Sequence, residues 1–264
     1  MIGFNHLGRL GQLGNQMFQY ASLKGIAINR GFDFCIPNYD EPVIDALGNR
    51  LKTEIFNPFK PKVSIGSLNT EKYIQEPGFG FSEALYNECP DNVSLVGFFQ
   101  TEKYFKKIEK TIREDFTFKK QIVDECEEMI EGCFEEPIAL HIRRGDFLIN
   151  SGNHYNQSLD YYKKALKKFD SFRQVIIFSD DPEWCMNQDL FSGDRFNVSS
   201  GNSPYHDLYM MTHCQDFIIA NSTFSWWGAW LANSGRVIAP SNWFGPNNNH
   251  LGTEDLYPSF WEVI

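Results

Sequence analysis

The chain has no apolar stretch approaching the roughly 18 residues needed to cross a bilayer. No secretory hydrophobic region follows Met1 either, because Asn5, His6, Arg9 and Gln12 interrupt it. A cytoplasmic protein is therefore expected, and the N-x-S/T triplets at Asn92, Asn156, Asn197 and Asn221 read as chance matches. No C-x-x-C occurs among the cysteines at 35, 89, 126, 133, 185 and 214, which favours reduced, mostly buried thiols over a disulfide framework. Positive charge is not in excess. Acidic residues number 34 and basic residues 24, for a formal charge of −10. That excludes a nucleic-acid binder that works by neutralising a phosphate backbone. It does not exclude a small anionic ligand, because net charge is screened over about 8 Å at physiological salt. Internal repeats and low-complexity segments are also lacking.

What is present is a core-forming composition, 42% hydrophobic and 16% aromatic over 264 residues, enough for one large or two small domains. Ile2 to Phe4 reads as a short strand, followed by a loop with Gly8, Gly11 and Gly14. A helix is predicted from Asn15 to Arg30, stopped by Gly31, and a strand from Phe32 to Ile36. Pro37 to Asn92 is rich in Pro, Gly and Asn and reads as irregular, with short elements. A strand at Ser94–Phe99 and helices at Thr101–Glu114 and Lys119–Cys133 follow. The second helix carries a stripe of Ile122, Val123, Cys126, Met129, Ile130 and Cys133. Lysine pairs at 103/107, 106/110, 163/167 and 164/168 have helical i, i+4 spacing and read as solvated faces, which leaves a peripheral membrane contact open.

The Glu135-Glu136-Pro137 turn is the expected domain boundary, giving domains 1–134 and 135–264. Beyond it, strands at Ile138–Ile142, Gln174–Phe178, Phe217–Ala220 and Arg236–Ala239 alternate with helices at Ser158–Phe169, Pro204–Gln215 and Ser222–Ala232. That alternation predicts an α/β fold with a parallel sheet and right-handed crossovers.

Ligands of open parallel sheets bind outside the carboxyl ends of the strands. Three polar clusters fall there: His141-Ile142-Arg143-Arg144-Gly145-Asp146, Ser179-Asp180-Asp181, and Asn221-Ser222-Thr223. Two adjacent arginines at a strand end are costly to bury without anions, and a guanidinium fork suits a phosphate. Ser222 and Thr223 can cap the next helix and leave its first amides aimed at an anion. Its tryptophans, Trp226, Trp227 and Trp230, read as core. Asp180 and Asp181 can hydrogen-bond a ribose or base, bind a metal, or cap the helix that Pro182 starts. Asp207 is either a surface acid of a first turn or a group reaching back to the ligand. Gly14-Asn15-Gln16 opens a helix after a tight turn but lacks the G-x-G-x-x-G fingerprint.

Four segments carry a resemblance to a known family: Gly11 to Ala21, His141-x-Arg143-Arg144-x-Asp146, Phe178-Ser179-Asp180-Asp181, and Asn221 to Leu231. In this order, nearly end to end, they resemble the α-1,2-fucosyltransferases of glycosyltransferase family 11. The resemblance implies a GT-B fold, two Rossmann-like domains with parallel sheets facing a central cleft. Residues 1–134 would lie on the acceptor side and 135–264 would bind the GDP-sugar, with the C-terminal tail crossing back. It implies GDP-β-L-fucose as donor, no metal or other cofactor, and inverting transfer to the 2-hydroxyl of a terminal β-galactoside glycan.

The same resemblance makes Arg143 the diphosphate contact, with Arg144 assisting it or forming an ion pair with Asp146. It puts Asn15 near the reacting centre, with Gly14 and Gln16 beside it on the acceptor-side loop, and Asp207 at guanosine. His141, Ser179, Asp180, Asp181, Asn221, Ser222, Thr223, Phe224 and Ser225 complete the expected donor site. Gln12 departs from the family, which has a second glycine there. Arg143 and the Ser222–Ser225 helix start would stabilise the departing GDP. No motif carboxylate is an obvious base. Asp146 is one candidate, and His154 and Asp160 are others expected to be structural. The alternatives are a GT-B transferase using another nucleotide sugar, or an inactive GDP-sugar-binding module.

Overall fold

The computed structural model describes residues 1–130 and 135–264. Residues 131–134 and the side chains of 128–130 lie outside that description. So do the expected stripe positions Met129, Ile130 and Cys133 and the end of their helix. The chain forms two compact units, Met1–Lys119 with Leu251–Pro258, and Lys120–His250 with Ser259–Ile264.

The first unit contains β1 (Ile2–Gly3), α1 (Leu13–Arg30), β2 (Phe34–Ile36), β3 (Val43–Ile44), β4 (Arg50–Leu51), β5 (Ser64–Ile65), β6 (Tyr73–Gln75), α2 (Glu83–Glu88), β7 (Ser94–Val96) and α3 (Glu109–Asp115). Its main sheet is wholly parallel, in the order β5-β2-β1-β7-β6, and β3 and β4 form a separate antiparallel pair. Helix α1 starts two residues before its expected position because Glu54 accepts the Leu13 amide at 3.0 Å. It ends as expected on Gly31, left-handed at φ 69°, whose amide reaches the carbonyls of Ala27 and Ile28. Gly25 is there because a Cβ would strike the Tyr104 carbonyl. Strand β7 stops at Val96, short of the expected Phe99, where Gly97 and Phe99 take positive φ angles of 148° and 54°. The expected 101–114 helix is broken into two 3₁₀ turns, at Glu102–Tyr104 and Lys106–Ile108, before α3 begins.

The second unit contains α4 (Lys120–Ile130), β8 (Ile138–Ile142), α5 (Gly145–Ile149), α6 (Leu159–Leu166), β9 (Val175–Ser179), α7 (Pro182–Met186), β10 (Phe196–Val198), α8 (Pro204–Met211), β11 (Asp216–Ile218), α9 (Thr223–Ala232), β12 (Val237–Ala239) and β13 (Glu262–Val263). The boundary expected at 134/135 is thus corrected to 119/120. Helix α4 packs on α8, where Glu125 meets His206 at 2.6 Å, and Ile122 and Cys126 of its stripe are buried. The sheet is parallel throughout, in the order β10-β9-β8-β11-β12-β13. Every residue of β8 is buried, as a central parallel strand requires. Tyr161, Tyr162, Leu166, Val175 and Ile177 build the core on one face. On α9, Trp226, Trp227 and Trp230 are buried as expected. The five cysteines among the described residues, at 35, 89, 126, 185 and 214, are free and buried.

Candidate active site

In the second unit the chain runs β8, β9, β10 toward one edge of the sheet, then returns to run β11, β12, β13 toward the other. The order therefore reverses between β8 and β11. In a doubly wound sheet the crevice at that reversal, beyond the carboxyl ends, is where ligands bind. His141 and Arg143–Asp146 leave β8 on one side of it. Asn221 and the start of α9 leave β11 on the other. Ser179, Asp180 and Asp181 end β9, the next strand along.

The arginines are not left to an external anion. Arg143 pairs with Asp146 at 2.6 Å and with Asp180 at 3.2 Å. Arg144 pairs with Asp181 at 2.9 Å, not with Asp146, and its guanidinium lies 3.8 Å over the Trp184 ring. Asp180 also accepts the Arg144 amide at 2.8 Å. Asp181 caps α7, accepting the Trp184 amide at 3.1 Å. The aspartate pair is thereby engaged in orienting arginines. Gly145 permits this, because a Cβ there would run into the Asp180 carboxylate. Among the described residues no group of three His, Cys, Asp or Glu side chains could hold a metal ion.

Across the reversal, Ser222 takes the N-cap position of α9, but its side chain caps no amide. The first turn thus presents amide donors that no N-cap side chain takes up, and with the helix dipole they favour an anion. Ser225 is turned inward, its hydroxyl on the Ser222 carbonyl at 3.3 Å. Asn221 is buried and braces loops. Its amide donates to the carbonyls of Tyr155 and Trp243, both at 2.8 Å, and its oxygen accepts from Gln157 at 3.2 Å. His141 is also buried, its ring centroid 5.5 Å from that of Phe224. Burial, reinforced by Arg143, pushes it down to about 3, so it is neutral. Its Nδ1 has no hydrogen-bond partner among the described residues. Asp207, on α8 beyond the end of β10, accepts the Ser199 hydroxyl at 2.6 Å. Burial raises it above the ordinary aspartate range, opposed by Ser199, His206 and Asn202.

In the first unit, Asn15 is the one residue between Leu13 and Ala27 of α1 that is not buried. Its side-chain oxygen accepts from Gln100 at 2.9 Å. Gly11, at φ 85°, makes room for it, since a Cβ there would collide with the Asn15 side chain. Gln16 is inward and braces the loop, donating to the Lys52 carbonyl at 2.8 Å and accepting the Glu54 amide at 2.7 Å. Gln12 has an extended backbone, φ −84° and ψ −172°, that any residue adopts, so the departure from glycine brings no strain. Gln100 is itself held in place from a distance. Glu76 grips the preceding turn, accepting the amides of Phe98 at 2.8 Å and Phe99 at 3.0 Å. Burial raises Glu76 to about 7 against those two bonds.

The sequence model of glycosyl transferase family 11 matches residues 2–264. The chain belongs to glycosyltransferase family 11. Among curated family 11 relatives, it is 31% identical over 291 aligned positions to an α-1,2-colitosyltransferase of Escherichia coli, covering 96% of each chain. It is 26% identical to galactoside α-(1,2)-fucosyltransferase 1 of Rattus norvegicus, over 91% of this chain and 66% of that protein. Among solved structures, POFUT1 in complex with GDP aligns with a TM-score of 0.58 at 12% identity, over 90% of this chain and 96% of that one. NodZ α-1,6-fucosyltransferase soaked with GDP-fucose aligns with a TM-score of 0.52 at 16% identity, over 95% and 97%. These likenesses establish the GT-B fold for this family 11 glycosyltransferase. No helix among its described residues is long and apolar enough to cross a membrane.

Sequence reasoning had not found Gln100, Glu76 or Trp184. Gln100 and Glu76 act across 85 and 22 residues of chain. Trp184 had a legible signal, an aromatic one turn into a helix that begins with Asp181-Pro182.

Proposed function

We propose that this protein transfers L-fucose from GDP-β-L-fucose, with inversion, to the 2-hydroxyl of a terminal β-galactoside, forming an α-1,2-fucoside without a metal. One observation carries the reading. The arginine pair and the uncapped start of α9 flank the strand-order reversal of the second unit, where a diphosphate has donors on both sides. Arg143 and the first amides of α9 meet the charge that grows on GDP as the C1–O bond breaks. Preorganised donors of that kind are worth about 3 kcal/mol of barrier each. Arginine stays protonated, so this contribution does not titrate.

A second reading is favoured by the relative similar over its full length, whose name specifies colitose. Colitose is fucose without its 3-hydroxyl. A site that hydrogen-bonds this hydroxyl rejects the analogue lacking it by about 10⁴-fold, whereas a site that does not tolerates both. Purified protein is to be given GDP-fucose, GDP-colitose or UDP-galactose, with a panel of β-galactosides and with or without EDTA, and the linkage read by NMR. Fucosyl transfer to O2 that EDTA does not reduce is the expected result. Transfer from GDP-colitose alone establishes the second reading, and absence of transfer from any GDP-sugar overturns both.

A further inference from the structure

Inverting transfer leaves the acceptor hydroxyl with a proton to lose, and the carboxylates of the donor cluster are already committed. Asp146 and Asp180 hold Arg143, and Asp181 holds Arg144. His141 is neutral but fully enclosed. Asp160, in the first turn of α6, is exposed on the surface. His154 differs from all of these. It lies in the loop after α5, half-buried, and its ring stacks on Phe147 with centroids 4.1 Å apart and planes 8° apart. The Arg143 guanidinium also lies against Phe147, 5.5 Å from the same ring centroid. The ring nitrogens of His154 have no hydrogen-bond partner among the described residues, although its backbone is fixed. Its amide donates to the Asn150 carbonyl at 3.0 Å, it bridges Phe244, and Asn221 braces the next residue through the Tyr155 carbonyl. A rigidly held imidazole with an open lone pair therefore shares the Phe147 ring with Arg143, the arginine proposed to meet the diphosphate.

We propose that His154 is the catalytic base of the transfer, accepting the proton of the acceptor hydroxyl. This rests on the donor-site reading above. The acceptor oxygen bonds to C1 of the sugar as the C1–O bond to the diphosphate breaks, and the bonding pair leaves with GDP. The proton passes to the imidazole and from there to water. Two charged groups face this ring. Burial, the largest influence, lowers its proton affinity, Asp146 opposes that, and Arg143 adds to it. The imidazole is thus neutral and able to accept a proton at neutral pH.

The test compares native protein with His154→Phe, which keeps the stack on Phe147, and His154→Gln, which keeps a polar group. GDP affinity by calorimetry, kcat, acceptor KM and the pH profile of transfer are measured on the same preparations. Expected is unchanged GDP affinity, a kcat reduced about 10²-fold or more in both variants, and loss of the acid limb that native protein shows below its ordinary histidine pKa. A His154→Phe variant within twofold of native kcat, with the acid limb intact, overturns the assignment and leaves the donor site standing. Absence of GDP binding and transfer in the native protein overturns the functional reading itself.

Discussion

Replacing Arg143 with alanine tests the diphosphate role most directly. The substitution removes the guanidinium proposed to meet the leaving group, which should raise the barrier by about 3 kcal/mol. With tenfold per 1.36 kcal/mol, that is roughly a 10²-fold fall in kcat. A second effect follows from the geometry. Asp146 and Asp180 lose their shared partner, and both carboxylates then face the incoming diphosphate with like charge. Donor affinity should fall along with kcat. The double variant Arg143→Ala/Asp180→Asn should recover part of that affinity while kcat stays low, because amide replaces anion but nothing replaces the fork. The fold should survive. The ion pairs of Arg143 lie at 16–23% side-chain exposure, and their loss should cost roughly 1 kcal/mol after screening. Calorimetry with GDP, steady-state transfer and thermal melting separate the three effects. Turnover by Arg143→Ala within a few-fold of native, or a donor affinity indifferent to Asp180→Asn, would refute the reasoning.

Other outcomes follow from neighbouring features. Gly145→Ala pushes a methyl group into the Asp180 carboxylate, so GDP affinity should drop while the melting temperature changes little; calorimetry and melting curves check this. Gln100→Leu frees the Asn15 amide from its one hydrogen bond to a side chain, and should lower kcat while leaving the GDP Kd unchanged. Glu76 has its folded-state pKa raised from 4.5 to about 7 by burial. Its contribution to stability is therefore complete below about 4.5 and is lost as pH rises through about 7. Melting curves between pH 5 and pH 8 should show Glu76→Gln gaining on the native protein as pH rises, and parallel curves would contradict the burial argument.

The second unit was readable because its elements obey local rules. Ile138–Leu140 is an apolar run that continues through His141 to Ile142, and the five residues form β8 with the predicted limits. Ser158 and Ser203 cap the starts of their helices as their chemistry requires. The misses trace to distant partners or short elements. The three-residue β10 is only half-buried, and α5 and α7 span five residues each, too short for periodicity. The strand at Ser94 was read as running on to Phe99 because the carboxylate that turns the chain there belongs to Glu76. Helix α4 was assigned to the wrong unit because an apolar stripe does not name the surface it packs on. The placement of the three polar clusters after β8, β9 and β11 was legible, but the pairing of Asp180 and Asp181 with the arginines was not. That pairing spans up to 37 residues of chain and depends on β8 and β9 lying side by side.

Three aspartates standing against two arginines also bear on selectivity. A basic pocket that lacks such partners takes up any phosphate that diffuses in, inorganic phosphate and nucleotides alike. Here a free phosphate would compete with carboxylates tied into the same loops, and it brings nothing else to offset that competition. A nucleotide sugar gains further contacts from its base and its sugar. On the proposed donor reading, the internal counter-ions would act as a threshold that favours the complete donor over its fragments.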